Sequence, residues 1–204
     1  MISGLECRLL VFGILLALAI SIRQPYDLTI WFLEAFPVIA GLPVLILTHR
    51  HFPLTPLAYR LLFLHALILL LGAHYTYARV PLGFWMQDVF DFGRNHYDRI
   101  GHLAQGFIPA ILAREILIRK TRLISGGWLF FLVTCVCLSI SVFYEFIEWW
   151  IAVLSGAVAD DFLATQGDIW DTQWDMLMAM IGALSAQLLF GRYHDGLLKN
   201  LRQG

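Results

Sequence analysis

The chain has 204 residues, of which 59% are hydrophobic and 14% are charged, and its formal net charge at pH 7 is −1. Soluble domains usually carry about 25% charged residues, so this composition predicts a protein that lies in lipid. The balanced charge argues against a nucleic-acid partner, and the sequence has neither a P-loop nor a dinucleotide-binding motif.

Apolar runs along the chain are long enough to form membrane-spanning helices. A bilayer core of about 30 Å needs roughly 20 helical residues at about 1.5 Å per residue. Six runs meet this length, at residues 5–22, 28–47, 57–74, 98–118, 127–150 and 171–190. The sequence therefore predicts a single all-α domain over residues 1–204, built as a membrane bundle of about six transmembrane helices.

The long connection between the third and fourth runs has a helical pattern of its own. Trp85, Val89 and Phe92 recur at helical spacing, with Asp88 and Asp91 between them. This pattern is typical of a short helix that lies on the membrane surface. We therefore expect a short interfacial helix in this loop.

The distribution of Lys and Arg predicts the orientation of the bundle. With the N-terminus inside the cell, ten of the 14 basic residues fall on the cytoplasmic side. Twelve of the 15 acidic residues fall on the other side or in the outer half of the bundle. Because cytoplasmic loops of membrane proteins are enriched in Lys and Arg, both termini are expected in the cytoplasm.

Polar side chains from four segments are expected at the outer end of this bundle. They are His74, Tyr77, Arg94, Asn95, Asp98, Arg99, His102, Tyr144, Glu145, Glu148, Asp168, Asp171 and Asp175. Helical spacing places Asp98 with His102, Glu145 with Glu148, and Asp168 with Asp171 and Asp175 on shared helix faces. Ionisable groups in a membrane span usually face the bundle interior, so these faces are expected to converge.

The first interpretation of this cluster is structural. Asp98, Asp168 and Asp171 lie in first helical turns, where a carboxylate caps backbone N–H groups and suits the helix dipole. Glu145 lies near a helix C-terminus, where the dipole disfavours negative charge. We expect Arg99 to be its partner, which would make the cluster an ion-pair network.

The second interpretation is a site for a divalent metal, with Asp98, His102, Glu145 and Asp171 as candidate ligands. Mixed carboxylate and imidazole ligands suit Zn²⁺, Mn²⁺ or iron, and carboxylates alone suit Mg²⁺ or Ca²⁺. The zinc motif His-Glu-x-x-His is absent from the sequence.

An ion or proton pathway is the third interpretation. Of the remaining histidines, His65 is expected to be hydrogen-bonded within the bundle and His194 to lie at the cytoplasmic interface.

Roles in a reaction can be assigned on the metal interpretation. The candidate catalytic residues are Glu148, Glu145 and Asp175. A carboxylate such as Glu148 would act as the general base. The candidate substrate-binding residues are His74, Tyr77, Arg94, Asn95, Arg99 and Tyr144.

The motifs at residues 72–77, 95–102, 144–149 and 168–176 resemble the YjdF-type family of bacterial inner-membrane proteins. The resemblance covers most of the chain and implies a multi-pass inner-membrane protein, with no established activity. A weaker resemblance runs to VanZ-like proteins, whose Asp-Lys-x-x-His segment is similar to residues 98–102. Glu148 and Asp175 stand where those proteins have Gln and Asn, and both departures add carboxylates.

Two functions follow as expectations. In the first, a polar pocket on the periplasmic side of the inner membrane carries out metal-assisted processing of a lipid-linked or envelope-derived substrate. In the second, the chain is a non-enzymatic membrane binding module or a protein that handles cations or protons. Membrane lipids are expected partners in both, and the sequence leaves open whether the chain is an enzyme.

Overall fold

A computed structural model describes residues 2–155 and 162–203, and this part of the chain is helical, with no strand. In chain order the elements are α1 (Gly4–Ser21), α2 (Leu28–Thr48), α3 (Pro56–Tyr75), a 3₁₀ turn (Tyr77–Arg79), α4 (Pro81–Phe90), α5 (Tyr97–Lys120), α6 (Gly127–Ser155) and α7 (Asp171–Gln203). The all-α architecture predicted from the sequence is confirmed. Asp160 and Asp161, which the sequence places at the outer side, lie outside the described residues.

Five helices, α1, α2, α3, α6 and α7, are long and apolar enough to cross a membrane. Helix α5 has 24 residues and is therefore about 36 Å long at 1.5 Å per residue. It is not among the five, because His102, Gln105, Arg114 and Glu115 lower the hydropathy of the stretch that would cross the bilayer. The fold is thus that of an integral membrane bundle, while the number of six spans and the orientation stay predictions.

The structure contains the short helix expected between the third and fourth runs. It is α4, which begins at a proline and ends where Asp91 takes a left-handed conformation with φ of 55°. A proline fits the first turn of a helix because the N–H that it lacks would have no partner there. Trp85 and Val89 on this helix are exposed, as expected of a helix that meets lipid.

Helix α5 is the centre of the bundle and packs against α3, α6 and α7. Helices α1 and α2 both pack on α3, and so form the outer part of the structure. The fully buried side chains of Ile111 on α5 and of Leu129 and Val133 on α6 belong to one apolar core. The helix with the most buried ionisable groups is therefore shielded from lipid by its neighbours.

Helices α5 and α7 approach each other closely at two glycines. A Cβ atom on Gly106 would collide with the backbone carbonyl of Ala179, and one on Gly182 would collide with the carbonyl of Leu103. Small residues at such contacts let helix backbones pack directly in a membrane, where van der Waals contact drives association. This contact fixes α7 against α5 along its length.

The two ends of the bundle differ in charge and are named accordingly. The acidic end is the one at which α5 begins with Tyr97 and Asp98, and α7 begins with Asp171. The basic end is the one at which α5 ends with Arg119 and Lys120. Both ends contain buried ionisable side chains, and these differ in how completely they are partnered.

The helix contact generates a stability prediction. Gly106→Ala should lower the thermal unfolding temperature of the purified protein, because the new methyl group meets the backbone of Ala179, which cannot rotate away. Overpacking of this kind costs about 1–3 kcal/mol. Gly41→Ala is the matched control: Gly41 lies within α2, and its Cβ would find open space. That variant should be as stable as the parent or slightly more stable. Equal stability of Gly106→Ala and the parent would contradict the proposed packing role.

Candidate functional site

His102 is the centre of a buried polar cluster at the acidic end. Its Nε2 lies 3.6 Å from Oδ1 of Asp98, one turn earlier on α5, and 3.9 Å from Oε1 of Glu145 on α6. All three side chains are buried. The i, i+4 spacing of Asp98 and His102 puts both on the same face of α5, which is the face turned towards α6 and α7.

His102 belongs to two groups of side chains that have the donor types and spacing of a metal site. One group consists of His102 with Asp98 and Asp175, and the other of His102 with Glu145 and Glu148. Within each group one ligand atom per residue lies within 4.8 Å of the others. Three helices, α5, α6 and α7, therefore bring four carboxyl groups around one imidazole.

Several polar atoms of this cluster have no hydrogen-bond partner among the residues that the structure describes. They are Nδ1 of His102, Oε1 of Glu145 and Oδ1 of Asp175. Buried polar atoms in folded proteins nearly always have partners, and exceptions often mark ligand sites. The cluster therefore has unused capacity to bind a cation or a polar ligand.

The two arginines near the cluster pair with aspartates at the start of α7. Arg94 lies 2.7 Å from Oδ1 of Asp171, and Arg99 lies 2.7 Å from Oδ2 of Asp168 and stacks over Trp174. The expectation that Arg99 pairs with Glu145 is wrong. Arg99 follows Asp98 directly on α5, so it points about 100° away around the helix axis and reaches α7 instead.

Asp168 precedes α7, and its carboxylate has a structural role. Its Oδ1 accepts the backbone N–H of Trp170, and its Oδ2 accepts from Arg99. The Trp170 N–H, together with the nearby Arg99 and Arg94, holds the pKa of Asp168 below its ordinary value. This is the helix-start role that the sequence offered for Asp168, and it accounts for the residue without a ligand.

The carboxylate cluster opens onto a cavity of about 230 Å³ inside the bundle. Its polar lining consists of Glu34, His65, Tyr77, Asp98, His102, Gln105, Tyr144 and Glu148. The apolar lining includes Leu69, Pro109, Ile140 and Phe162. Two of the predicted substrate-binding residues, Tyr77 and Tyr144, thus lie beside the predicted metal ligands.

Glu34 is a cavity residue that the sequence analysis missed. It is 2% exposed, and its Oε1 accepts a hydrogen bond from the hydroxyl of Thr76 at 3.3 Å. Its Oε2 has no partner among the described residues. The signal that could have found it is a single carboxylate within an apolar run, since such residues usually face the bundle interior.

His65 also lines the cavity, and its Nε2 has no hydrogen-bond partner in the described part of the chain. The expectation that it is bonded within the bundle is therefore wrong for this nitrogen. It lies ten positions before the end of α3, or about 15 Å from the acidic end. The cavity consequently reaches from the carboxylates towards the middle of the bundle.

Four of the predicted substrate-binding residues do not line this cavity: Arg94 and Arg99, which pair with aspartates, and His74 and Asn95. The Nδ1 of His74 is 2.9 Å from the backbone carbonyl of Ser21, on the side where α3 meets α1. The Asn95 side chain donates to the carbonyl of Val80 and accepts the N–H of Tyr97. Both residues hold turns of the chain in place, so the structure gives them a structural role.

A second buried carboxylate, at the basic end, is fully partnered. Glu115 accepts hydrogen bonds from the N–H and hydroxyl of Thr55 and from Arg119, and it lies 3.2 Å from Nε2 of His194. His194 is fully buried, so its expected interfacial position is wrong. Helix α7 continues past the end of the apolar run at residue 190 and keeps its contact with α5 there.

Comparisons with known proteins place the chain in a family. A family model described as "Predicted membrane protein (DUF2238)" matches residues 7–196. The chain belongs to this family. It is 50% identical over 169 residues to "Inner membrane protein YjdF" of Escherichia coli (strain K12), which covers 83% of this chain and 81% of that protein. No solved structure matches.

The family assignment confirms the resemblance to YjdF-type proteins that the four motifs indicated. It gives no support to the weaker resemblance to VanZ-like proteins. The chain is a multi-pass membrane protein. The names of the family and of the relative state no activity, so a function can be inferred only from the site itself.

The partners of Glu115 generate a prediction. Glu115→Gln should destabilise the protein by about 3–5 kcal/mol, because it removes the carboxylate that partly buried Arg119 and fully buried His194 contact. Glu6→Gln is the matched control, since Glu6 pairs with Arg60 at 2.7 Å where both side chains are partly exposed. Exposed pairs contribute about 0–1 kcal/mol. Thermal unfolding in detergent measures both variants, and equal effects would contradict a structural role specific to Glu115.

Proposed function

We propose that the chain is a metal-dependent protein of the bacterial inner membrane. In this proposal His102 and its neighbouring carboxylates hold a divalent cation beside the cavity, where a lipid-linked or envelope-derived substrate is processed. The observation that carries the proposal is the contrast between two buried clusters. Glu115 has donors for its carboxylate, whereas His102, Glu145 and Asp175 each keep a buried atom without a partner in the described structure.

The charges around His102 support a cation. Four carboxyl groups lie near one imidazole, and the two nearby arginines are engaged by Asp168 and Asp171. Several buried carboxylates without compensating positive charge are strongly unfavourable, so they must bind protons or a cation. A divalent cation neutralises two of them and uses their free oxygens as ligands.

The donor set favours particular ions and particular ligands. One imidazole with several carboxylates suits Zn²⁺, Mn²⁺ or Fe²⁺ better than Mg²⁺ or Ca²⁺, which prefer oxygen ligands alone. Asp175 groups with His102 and Asp98, whereas Asp171 lies against Arg94. We therefore propose Asp175 as the ligand from α7 in place of Asp171, and we keep Asp98, His102 and Glu145.

The lining of the cavity supports a substrate with both polar and apolar parts. A cation at His102 would polarise a phosphoryl or carbonyl oxygen of that substrate. Glu148 and Glu34 are the carboxylates available as general bases on the cavity wall, and Tyr77 and Tyr144 supply hydroxyl donors. The apolar lining suits a lipid tail, which is why we propose a lipid-linked substrate.

One observation favours a second candidate, a protein that handles cations or protons without an enzymatic reaction. The cavity extends from the carboxylates to His65, whose Nε2 lacks a partner among the described residues. A histidine at this depth could exchange protons with the carboxylates. The buried carboxylate at the other end, Glu115, is already bonded to its neighbours, which counts against a pathway across the whole bundle.

Metal analysis of protein purified without added metal tests the proposal. We expect about one divalent ion per chain in the parent, and its loss in Asp175→Asn. Asp171→Asn is the matched control, because both aspartates are buried in the first turns of α7 but only Asp175 groups with His102. Chelation should lower the unfolding temperature of the parent, since bound metal stabilises the folded state by mass action.

Two outcomes of that experiment count against a metal site. One is a parent protein that holds no metal and whose unfolding temperature is unaffected by chelator or by added Zn²⁺, Mn²⁺ or Fe²⁺. The other is equal metal content in the Asp175→Asn and parent proteins. Either result would leave the proton-handling candidate in its place.

Reporter fusions test the proposed orientation, with the acidic end facing the periplasm. Fusions at Thr121 and Gly204 should report a cytoplasmic position, and fusions at Gln24 and Gly83 a periplasmic one, because most Lys and Arg residues then lie inside. A periplasmic report at Thr121 would reverse the orientation and place the proposed site on the cytoplasmic side.

A further inference from the structure

A second polar cavity, of about 450 Å³, lies at the basic end, away from His102 and its carboxylates. It is formed where the last part of α5, the start of α6 and the second half of α7 meet. The side chains and glycines that matter for its chemistry are Arg114, Ser125, Gly127, Gln187, Arg192 and Asp195. None of them takes part in the proposed metal site.

One side of this cavity presents hydrogen-bond donors and positive charge. Helix α6 begins at Gly127, and the first N–H groups of a helix have no partner within it. The positive end of the helix dipole lies at the same place, so helix N-termini are suited to anions. A Cβ on Gly127 would meet no atom within 4 Å, so the approach to these N–H groups is open. Arg192 on α7, which is exposed, adds a cation.

The buried arginine of the cavity is already paired. Arg114 donates to Oδ1 of Asp195 at 2.7 Å and to the hydroxyl of Ser125 at 2.9 Å. Ser125 in turn donates to the carboxylate of Asp195. This arrangement fixes the cavity wall and leaves Arg192 and the start of α6 to meet an anion.

An independent observation on another wall indicates a ligand. Gln187 is buried, and its side-chain N–H₂ donates to the carbonyl of Phe130 and the hydroxyl of Thr134. Its Oε1 has no partner among the described residues. This oxygen can only accept a hydrogen bond. The cavity therefore combines donors for an anion with an unused acceptor for a second group of the same ligand.

The depth of the cavity identifies the kind of ligand. Arg192 lies 21 positions after Asp171 in α7, which is about 32 Å along the helix. This is about the thickness of the hydrocarbon core of a bilayer, so the cavity lies at the level of lipid headgroups. Trp128, next to the start of α6, is 74% exposed, as is typical of aromatic residues at a membrane interface.

We propose that this cavity binds the headgroup of a membrane phospholipid that carries a hydrogen-bond donor in addition to its phosphate. The phosphate binds at the start of α6 beside Arg192. The donor, an ammonium or hydroxyl group as in ethanolamine or glycerol headgroups, bonds to Oε1 of Gln187. A choline headgroup supplies the phosphate without the donor, so it satisfies only half of the site.

Native mass spectrometry of the purified protein with added phospholipid tests this inference. Phosphatidylethanolamine or phosphatidylglycerol should bind about ten-fold more tightly than phosphatidylcholine, the effect of about one well-formed hydrogen bond to a buried acceptor. Arg192→Ala should weaken binding of these lipids about ten-fold, because it removes a charged phosphate contact. Arg122→Ala is the matched control, since Arg122 is an exposed arginine near the same end that does not line the cavity.

Two further variants separate the walls of the cavity. Gln187→Leu should remove the preference for the donor-bearing lipids over phosphatidylcholine. Gly127→Leu should block binding of all three, and the open space at its Cβ makes the substitution compatible with folding. Equal binding of the three lipids by the parent, or undiminished binding by both Arg192→Ala and Gly127→Leu, would overturn the inference. Binding of inorganic phosphate as tight as that of phosphatidylethanolamine would also overturn the inference, because the ligand would then be a soluble anion.

Discussion

The direct contact between the backbones of α5 and α7 is the constraint on which both polar clusters depend. Gly106 and Gly182 allow each helix to rest on the other's main chain, so the two helices keep one register along their length. At the acidic end this register brings His102 within reach of Asp175. At the basic end it brings Glu115 within reach of His194. A larger residue at either glycine would displace both clusters together.

The two clusters use the same residue types and differ in how their hydrogen bonds are completed. Around Glu115 the protein supplies donors from α5, α7 and the segment before α3. Around His102 it supplies mainly acceptors, so the cluster is incomplete without a proton or a cation. In natural proteins, buried polar groups that lack hydrogen-bond partners occur chiefly at functional sites, where some stability is given up for binding. The two ends therefore differ in whether the protein itself supplies the partners of its buried carboxylates.

Much of this architecture could be predicted from the sequence, because hydrophobic runs set the helices and helical spacing sets which carboxylates share a face. The partner of each charged residue could not. Arg99 and Asp98 are adjacent in the chain, yet Arg99 pairs with Asp168 while Asp98 lies beside His102, and only the rotation of α5 in the bundle decides these partners. Glu34 was missed because it is a single carboxylate in its apolar run. His194 was expected at the interface because the predicted span ended at residue 190, whereas α7 continues to Gln203.

The central position of α5 has a consequence for how the protein is made. In a six-span topology α5 leaves the ribosome before α6 and α7, so its ionisable side chains reach the membrane before their partners exist. Arg114 and Glu115 lie within the stretch of α5 that would cross the bilayer, and a charged residue opposes insertion by about 2.5–3.5 kcal/mol at the centre of an isolated helix and by less towards its ends. In that topology we expect contact with α7, more than 50 residues later in the chain, to assist the insertion of α5. The six-span topology therefore predicts that the second half of the chain inserts cooperatively.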